Sequence, residues 1–166
     1  MNAQRNPTTV TAEPGTPFID IVREFDAPLE LVFRAHTDGD LVAQWLGPRA
    51  YEIVLDHYDA RSGGSWAYAH RDPQGAEYGF RGTFHTVSPE LVVQTFEFDG
   101  YPGHVALESA RFEALDGGRT RVSTRAVYQS VEDRDGMVAS GMEGGLTEGY
   151  QRLDDLLPTL AATSAS

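Results

Sequence analysis

The sequence predicts an α+β fold: a curved antiparallel sheet of about seven strands wrapped around one long C-terminal helix, with two short helices between strands one and two. Three observations predict it. Apolar and polar residues alternate with period two through most of residues 51–129, the pattern of half-buried strands. The breaks between these runs are short turn sequences, Arg61-Ser62-Gly63-Gly64, Asp72-Pro73-Gln74-Gly75, Ser88-Pro89, Asp99-Gly100 with Pro102-Gly103, and Asp116-Gly117-Gly118. They suit antiparallel hairpins and leave no room for the crossover helices of a parallel sheet. One long segment of helical period, about 131–158, follows the last strand and is the only element long enough to cover a sheet face.

Residues 1–17 are polar and interrupted by Pro7, Pro14 and Pro17, and are expected to be a flexible leader; 18–158 form one domain and 159–166 a flexible tail. "FIDIVREF" (18–25) is a strand, rich in β-branched and aromatic residues. Asp26-Ala27-Pro28 opens the first short helix, with Asp26 as N-cap, Glu30 near the positive end of the dipole, and Leu31, Val32 and Ala35 on its apolar side. It ends near Asp38-Gly39. "DLVAQWL" makes the second, stopped by Gly47-Pro48. Strands follow at 51–58, 65–70, 76–87, 91–98, 104–115 and 120–129.

On the C-terminal helix, which Pro158 is expected to close, Met142, Leu146, Leu153 and Leu160 fix the face turned to the sheet. Gly141, Gly145 and Gly149 run beside that face at steps of four. Each glycine inside a helix costs about 1 kcal/mol against alanine. The stripe therefore marks a close approach of the helix backbone to a neighbour, or room left for a ligand.

The chain has 166 residues, 40% of them hydrophobic and 23% charged, and so one globular core. Its net charge of -12 comes from 25 acidic against 13 basic residues, which disfavours nucleic acid and anionic membranes. No apolar run approaches the roughly 20 residues of a membrane span, and the N-terminus lacks the apolar stretch of a secretory signal. A cytoplasmic protein is expected, with no membrane insertion. With no cysteine there is no disulfide, thiolate metal site or cysteine nucleophile.

Several stretches resemble a known family. "FDAPLELVFRAHTDGDLVAQWLGP" carries Asp26-Ala27-Pro28, Val32-Phe33, Ala35, Thr37-Asp38, Trp45 and Gly47-Pro48. "DARSGGSWAY" (59–68), "GTFHTVSPELVVQTFEF" (82–98), "GGRTRVSTRAVY" (117–128) and "RDGMVASGMEGGLTEGYQRLDDLL" (134–157) continue it. Together they resemble the bacterial proteins similar to the C-terminal domain of the Hsp90 ATPase activator, within the START/Bet v 1-like (SRPBCC) helix-grip superfamily. The motifs are mostly structural, and Trp45 reads as a core plug. Fold alone does not choose among the superfamily's carriers, cyclases, hydratases and co-chaperone domains.

The resemblance implies a cavity between sheet and long helix, and alternation suggests its lining. Trp66, Tyr68 and His70 share a face, as do Tyr78, Phe80 and Phe84, then Val92, Phe96 and Phe98, then Val122, Thr124, Ala126 and Tyr128. The expected ligand-binding residues are Trp66, Tyr68, Tyr78, Phe80, Phe96, Tyr128, Met142, Gly145 and Leu146. Such a lining suits a hydrophobic or aromatic small molecule, lipid-like or polyketide-like, oriented by few hydrogen bonds. The alternative is a cyclase or hydratase in which a pocket carboxylate or histidine acts as base. Glu97, Arg111 and Glu113 are strand residues that would qualify if they faced inward, although an outward charge is the ordinary outcome. His36, His57, His70, His85 and His104 show no metal-binding spacing; His70 or His85 near Glu97 is the one arrangement strands could build. No catalytic residue, metal or cofactor is assigned. A co-chaperone role, implied by eukaryotic relatives that carry a further N-terminal domain, is not expected of a chain in which 17 residues precede the first strand. Self-association into a homodimer is left open.

Overall fold

The computed structural model describes residues 6–164. Its elements in chain order are β1 (Thr9–Thr11), β2 (Phe18–Phe25), α1 (Leu29–Thr37), α2 (Gly39–Trp45), β3 (Glu52–Tyr58), β4 (Ser65–Arg71), β5 (Glu77–Ser88), β6 (Leu91–Phe98), β7 (Val105–Leu115), β8 (Arg119–Val127), α3 (Val131–Ala139) and α4 (Met142–Ser164). The strands form one antiparallel sheet in the order β1-β2-β8-β7-β6-β5-β4-β3. From β3 to β8 it is a meander of hairpins, and β2 closes against β8, from Phe18 opposite Val127 to Phe25 opposite Thr120.

The expected α+β fold is present, with an eighth strand. That strand corrects the reading of the leader: Thr9–Thr11 pair with Asp20–Val22 at the outer edge of β2. Arg134, 3% exposed, anchors the rest of the segment through hydrogen bonds to the carbonyls of Glu13 and Phe18. The first five residues of the leader and the last two of the tail lie outside the described residues. A second correction concerns α1, whose N-cap position holds Pro28, while Asp26 accepts from Arg119 Nε at 2.9 Å. A third concerns the C-terminal helix. It is broken at Gly141, whose φ of +86 lies in the left-handed region that side chains avoid. It then runs through Pro158 to Ser164. Pro158 removes one helical hydrogen bond, and the burial of Leu157 and Leu160 on either side of it holds the backbone helical.

The core lies between the concave sheet face and α4. Ile19, Ile21, Phe25, Phe84, Phe112 and Val122 come from the sheet, and Tyr150, Leu153, Leu157 and Leu160 from α4. α1 and α2 close one end. Trp45 is the expected plug: 3% exposed, it donates its indole N–H to the Ala35 carbonyl at 2.9 Å and stacks on Tyr150. Arg23 is the one charge that β2 turns inward. It reaches across the interface to Asp154 on α4 with two hydrogen bonds of 2.9 and 2.6 Å. The convex face is polar and carries exposed pairs such as Arg125–Asp20 and Arg71–Glu77, which solvent screens and which add little to stability.

At Gly145 and Gly149 the glycine stripe is a close approach of the backbone, whereas Gly141 has open space around it. A Cβ on Gly149 would lie 3.0 Å from Gly47 N and 3.1 Å from Trp45 O, and one on Gly145 would lie 3.1 Å from Pro48 Cγ. The helix thus rests on the loop that ends α2. Gly144 has open space around its Cβ position. Gly144→Ala is expected to stabilise the protein by up to about 1 kcal/mol, the propensity gain alone. Gly149→Ala should destabilise it by about 1–3 kcal/mol, because only backbone atoms can yield. Urea titrations of the two variants give the test, and equal signs would contradict this packing.

Candidate functional site

β4 supplies the first wall of the groove: Trp66, Tyr68 and His70 alternate inward and are all buried. In the β4–β5 register Tyr68 stands opposite Phe80 and His70 opposite Tyr78, and Phe80 stands opposite Phe98 on β6. The rings form a continuous surface, with centroid separations of 5.1 Å for Trp66–Tyr68, 5.8 Å for Tyr68–Phe80, 5.4 Å for Phe80–Phe96 and 5.2 Å for Phe80–Phe98. Gly82 leaves the space into which Trp66 packs; a Cβ there would lie 2.6 Å from the indole nitrogen. Phe80, Phe96 and Phe98 are only half-buried, and Phe80 and Phe96 pack against the core. Aromatic rings that keep accessible surface are available to a flat apolar ligand.

The expected site residues separate accordingly. Trp66, Tyr68, Phe80 and Phe96 meet in the wall. Tyr78, 39% exposed, stands at its rim beside Tyr51. Tyr128 is half-buried at the end of β8, and Met142 and Leu146 pack inward from α4. Gly145 departs from expectation, since it faces Pro48 and belongs to the contact between helix and loop.

The polar centre of the groove is Glu108, which composition along β7 conceals. Residues 106, 108, 110 and 112 point inward, and Ala106, Ala110 and, across the strand pair, Ala126 leave space around the carboxyl group. Gln94 Nε2 donates to Glu108 Oε1 at 3.1 Å. No guanidinium pairs with Glu108 among the described residues, in a chain whose 13 basic residues are all arginines. Removal from water pushes its carboxyl up to about 7, with the Gln94 hydrogen bond opposing the shift. Tyr58, Tyr68, Tyr128 and Tyr150, from β3, β4, the end of β8 and α4, lie within reach of its charge. Burial first and then the Glu108 charge raise the phenol pKa of Tyr58, Tyr128 and Tyr150, that of Tyr150 to about 12. Burial also raises that of Tyr68, with the charges of Tyr58 and Glu108 adding to it.

Two histidines face the interior. His36 Nδ1 donates to Val32 O, 2.7 Å away, and its Nε2 is buried without a partner among the rings of Phe25, Trp45 and Phe112. Desolvation brings its pKa down to about 4. His70 packs its ring on Gly47; desolvation and then the Arg152 charge lower its pKa. The other candidates face away. Glu97 accepts from Arg81 and from the Gly103 backbone, Arg111 and Glu113 are exposed, and His85 bonds Thr86 on the outer side. His70, His85 and Glu97 therefore do not meet. His57 links Asp56 Oδ2 and Ser65 Oγ at 2.7 and 2.9 Å. The chain has the order of a hydrolase triad, but Asp56 and His57 are 77% and 46% exposed, and bulk water competes for both bonds.

A curved antiparallel sheet packed on a long C-terminal helix, with two short helices early in the chain, defines a helix-grip fold. The family model described as "Activator of Hsp90 ATPase homolog 1-like protein" matches residues 26–158, and the chain belongs to that family. The fold is similar to that of a protein from Rhodobacter sphaeroides, with a TM-score of 0.82 and 24% identity over 92% of this chain and 99% of that one. A protein from Arthrobacter aurescens also has a TM-score of 0.82 at 24% identity, over 91% of each chain. The AHSA1 protein from Silicibacter pomeroyi has a TM-score of 0.71 at 22% identity, over 86% of this chain and 98% of the other. At these identities the likeness concerns the fold alone. Comparison with curated proteins gives no match. Among the described residues, no helix is long and apolar enough to cross a membrane.

Proposed function

We propose that this protein binds a hydrophobic, aromatic small molecule in the groove between sheet and α4. The observation that carries the reading is the half-buried surface of Phe80, Phe96 and Phe98, continuous with the rings of Trp66 and Tyr68. A flat ligand gains contact and leaves few polar groups unpaired there.

Trp66 is a built-in reporter. In a Trp45→Phe background, 2-naphthylmethanol is expected to change Trp66 fluorescence in a saturable, one-site manner with a micromolar dissociation constant, about -7 kcal/mol. Ala110→Leu, which adds bulk to the inner face beside Glu108, should weaken binding at least about tenfold while the circular dichroism stays unchanged. Absence of saturable binding, or indifference to Ala110→Leu, would overturn the reading.

Glu108 favours a second reading. A carboxyl group titrating near neutrality among four phenols can hold and return a proton at Oε1 or Oε2, the requirement for acid–base work of the cyclase or hydratase kind. Turnover lost in Glu108→Gln, with binding retained, would distinguish catalysis from carriage.

A further inference from the structure

Glu108 is a carboxylate in an aromatic groove with one neutral hydrogen-bond partner and three alanines beside it. Elsewhere the fold meets its inward charges in kind: Arg23, 2% exposed, is matched by Asp154. A buried carboxylate without a cation is costly, and the cost falls when a cation arrives. The surroundings suit one. Ring faces carry negative potential and attract ammonium groups, four tyrosines lie within reach of the Glu108 charge, and the chain's net charge of -12 concentrates cations and repels anions.

We propose that the groove selects a lipophilic amine, a primary or secondary ammonium on a flat apolar body, with the ammonium on the Glu108 carboxylate and the body against Trp66, Phe80 and Phe96. This rests on the small-molecule reading above and narrows it. The same superfamily-sized groove could hold a fatty acid or a neutral polyketide; an anion would meet Glu108 with like charge, and a neutral body would leave the carboxylate unmatched.

The pH dependence follows from the groups that face the groove. Tyr58, Tyr68, Tyr128 and Tyr150 stay neutral, their pKa values raised. His36, with its pKa near 4, stays neutral as well, and His70 is shifted in the same direction. Arg23 is paired with Asp154, and Arg152 is directed to the carbonyls of Gly47 and Gln44 at the end of α2. Glu108 changes charge as pH falls through about 7.

The test compares 2-naphthylmethylamine, 2-naphthylmethanol and 2-naphthoate, three charges on one body, by calorimetry with the whole chain. At about pH 8 the amine is expected to bind at least roughly tenfold tighter than the alcohol, and naphthoate weakest. At about pH 5.5, where Glu108 is protonated and the amine is still an ammonium, the preference should shrink to about twofold or less. Glu108→Gln should abolish it at both pH values; should that variant fold poorly, the titration of the unsubstituted protein stands on its own. Equal binding of amine and alcohol at pH 8, tightest binding of naphthoate, or an amine preference that survives in Glu108→Gln would overturn the proposal while the small-molecule reading stands. Failure of all three probes would overturn both.

Discussion

Asp154→Ala is expected to cost about 3 kcal/mol or more of folding stability. The effect comes from what remains. Arg23 is 2% exposed, its Nη1 and Nη2 both bond Asp154, and its Nε is buried without a partner. Without Asp154 the guanidinium keeps the Glu24 carbonyl at 2.9 Å and the ring faces of Phe25 and Tyr150, which do not replace a counter-charge. Asp154 itself is 36% exposed, so water reaches its side of the pair and keeps the loss near the lower end of the range for buried pairs. The double variant Arg23→Met/Asp154→Leu removes both charges and should recover most of the loss, since an apolar pair fills the same space. Urea denaturation at neutral pH measures each. A loss under about 1 kcal/mol for Asp154→Ala, or a double variant no better than the single, would show that the pair does not tie β2 to α4. High salt should change the single-variant loss little, because screening acts weakly on a buried charge.

Legibility from sequence followed the range of the interactions. β6 lies where alternation placed it, at 91–98, and β3 to β8 differ from expectation only at their ends. Most of these strands carry their own signal, an alternation of inward apolar or aromatic and outward polar residues bounded by turn sequences. β1 carries none: Thr9–Thr11 is three residues long and is a strand only because β2 offers an edge. The periodicity of α4 was readable, and so was the glycine stripe, but its partner was not. Gly47 and Pro48 lie about a hundred positions earlier, and nothing local announces that Gly149 rests on them. The same limit applied at Pro158, where local chemistry says stop and the buried Leu157 and Leu160 say continue. Glu108 was concealed differently. On β7 the inward set is Ala106, Glu108, Ala110 and Phe112, while the outward set includes Leu107, 45% exposed. Hydropathy therefore points the wrong way along that strand. Only the phase fixed by Phe112 could have placed the carboxylate inside, and a single aromatic residue fixes phase weakly.

Glu108→Gln is expected to make the ligand-free protein more stable at about pH 8 than the unsubstituted one, by up to about 3 kcal/mol. The folded carboxyl titrates at about 7, against 4.5 as its ordinary value. Between those limits the native state binds more protons than the unfolded state, so stability falls as pH rises. The contribution of protonated Glu108 is fully present below about pH 4.5 and is lost as pH rises through 7. Glutamine keeps the acceptor for Gln94 Nε2 and cannot ionise. The difference between the two proteins should therefore be near zero at pH 4.5, open through the interval and level off above pH 8. Taking the difference matters because His36 runs the other way. Its folded pKa near 4 means that the stability of its neutral form, full above about 6.5, is lost as pH falls, and in the unsubstituted protein the two trends nearly cancel below neutrality. His36 is present in both proteins and drops out. A difference that does not vary with pH would mean that Glu108 is solvated in the folded state and that the groove is wetter than its rings imply. The expected result has a consequence for function: at neutral pH the fold carries an acidic group, at the centre of its sheet, that a single isosteric change would make harmless. A structural role does not account for such a residue, whereas a ligand that meets the charge does.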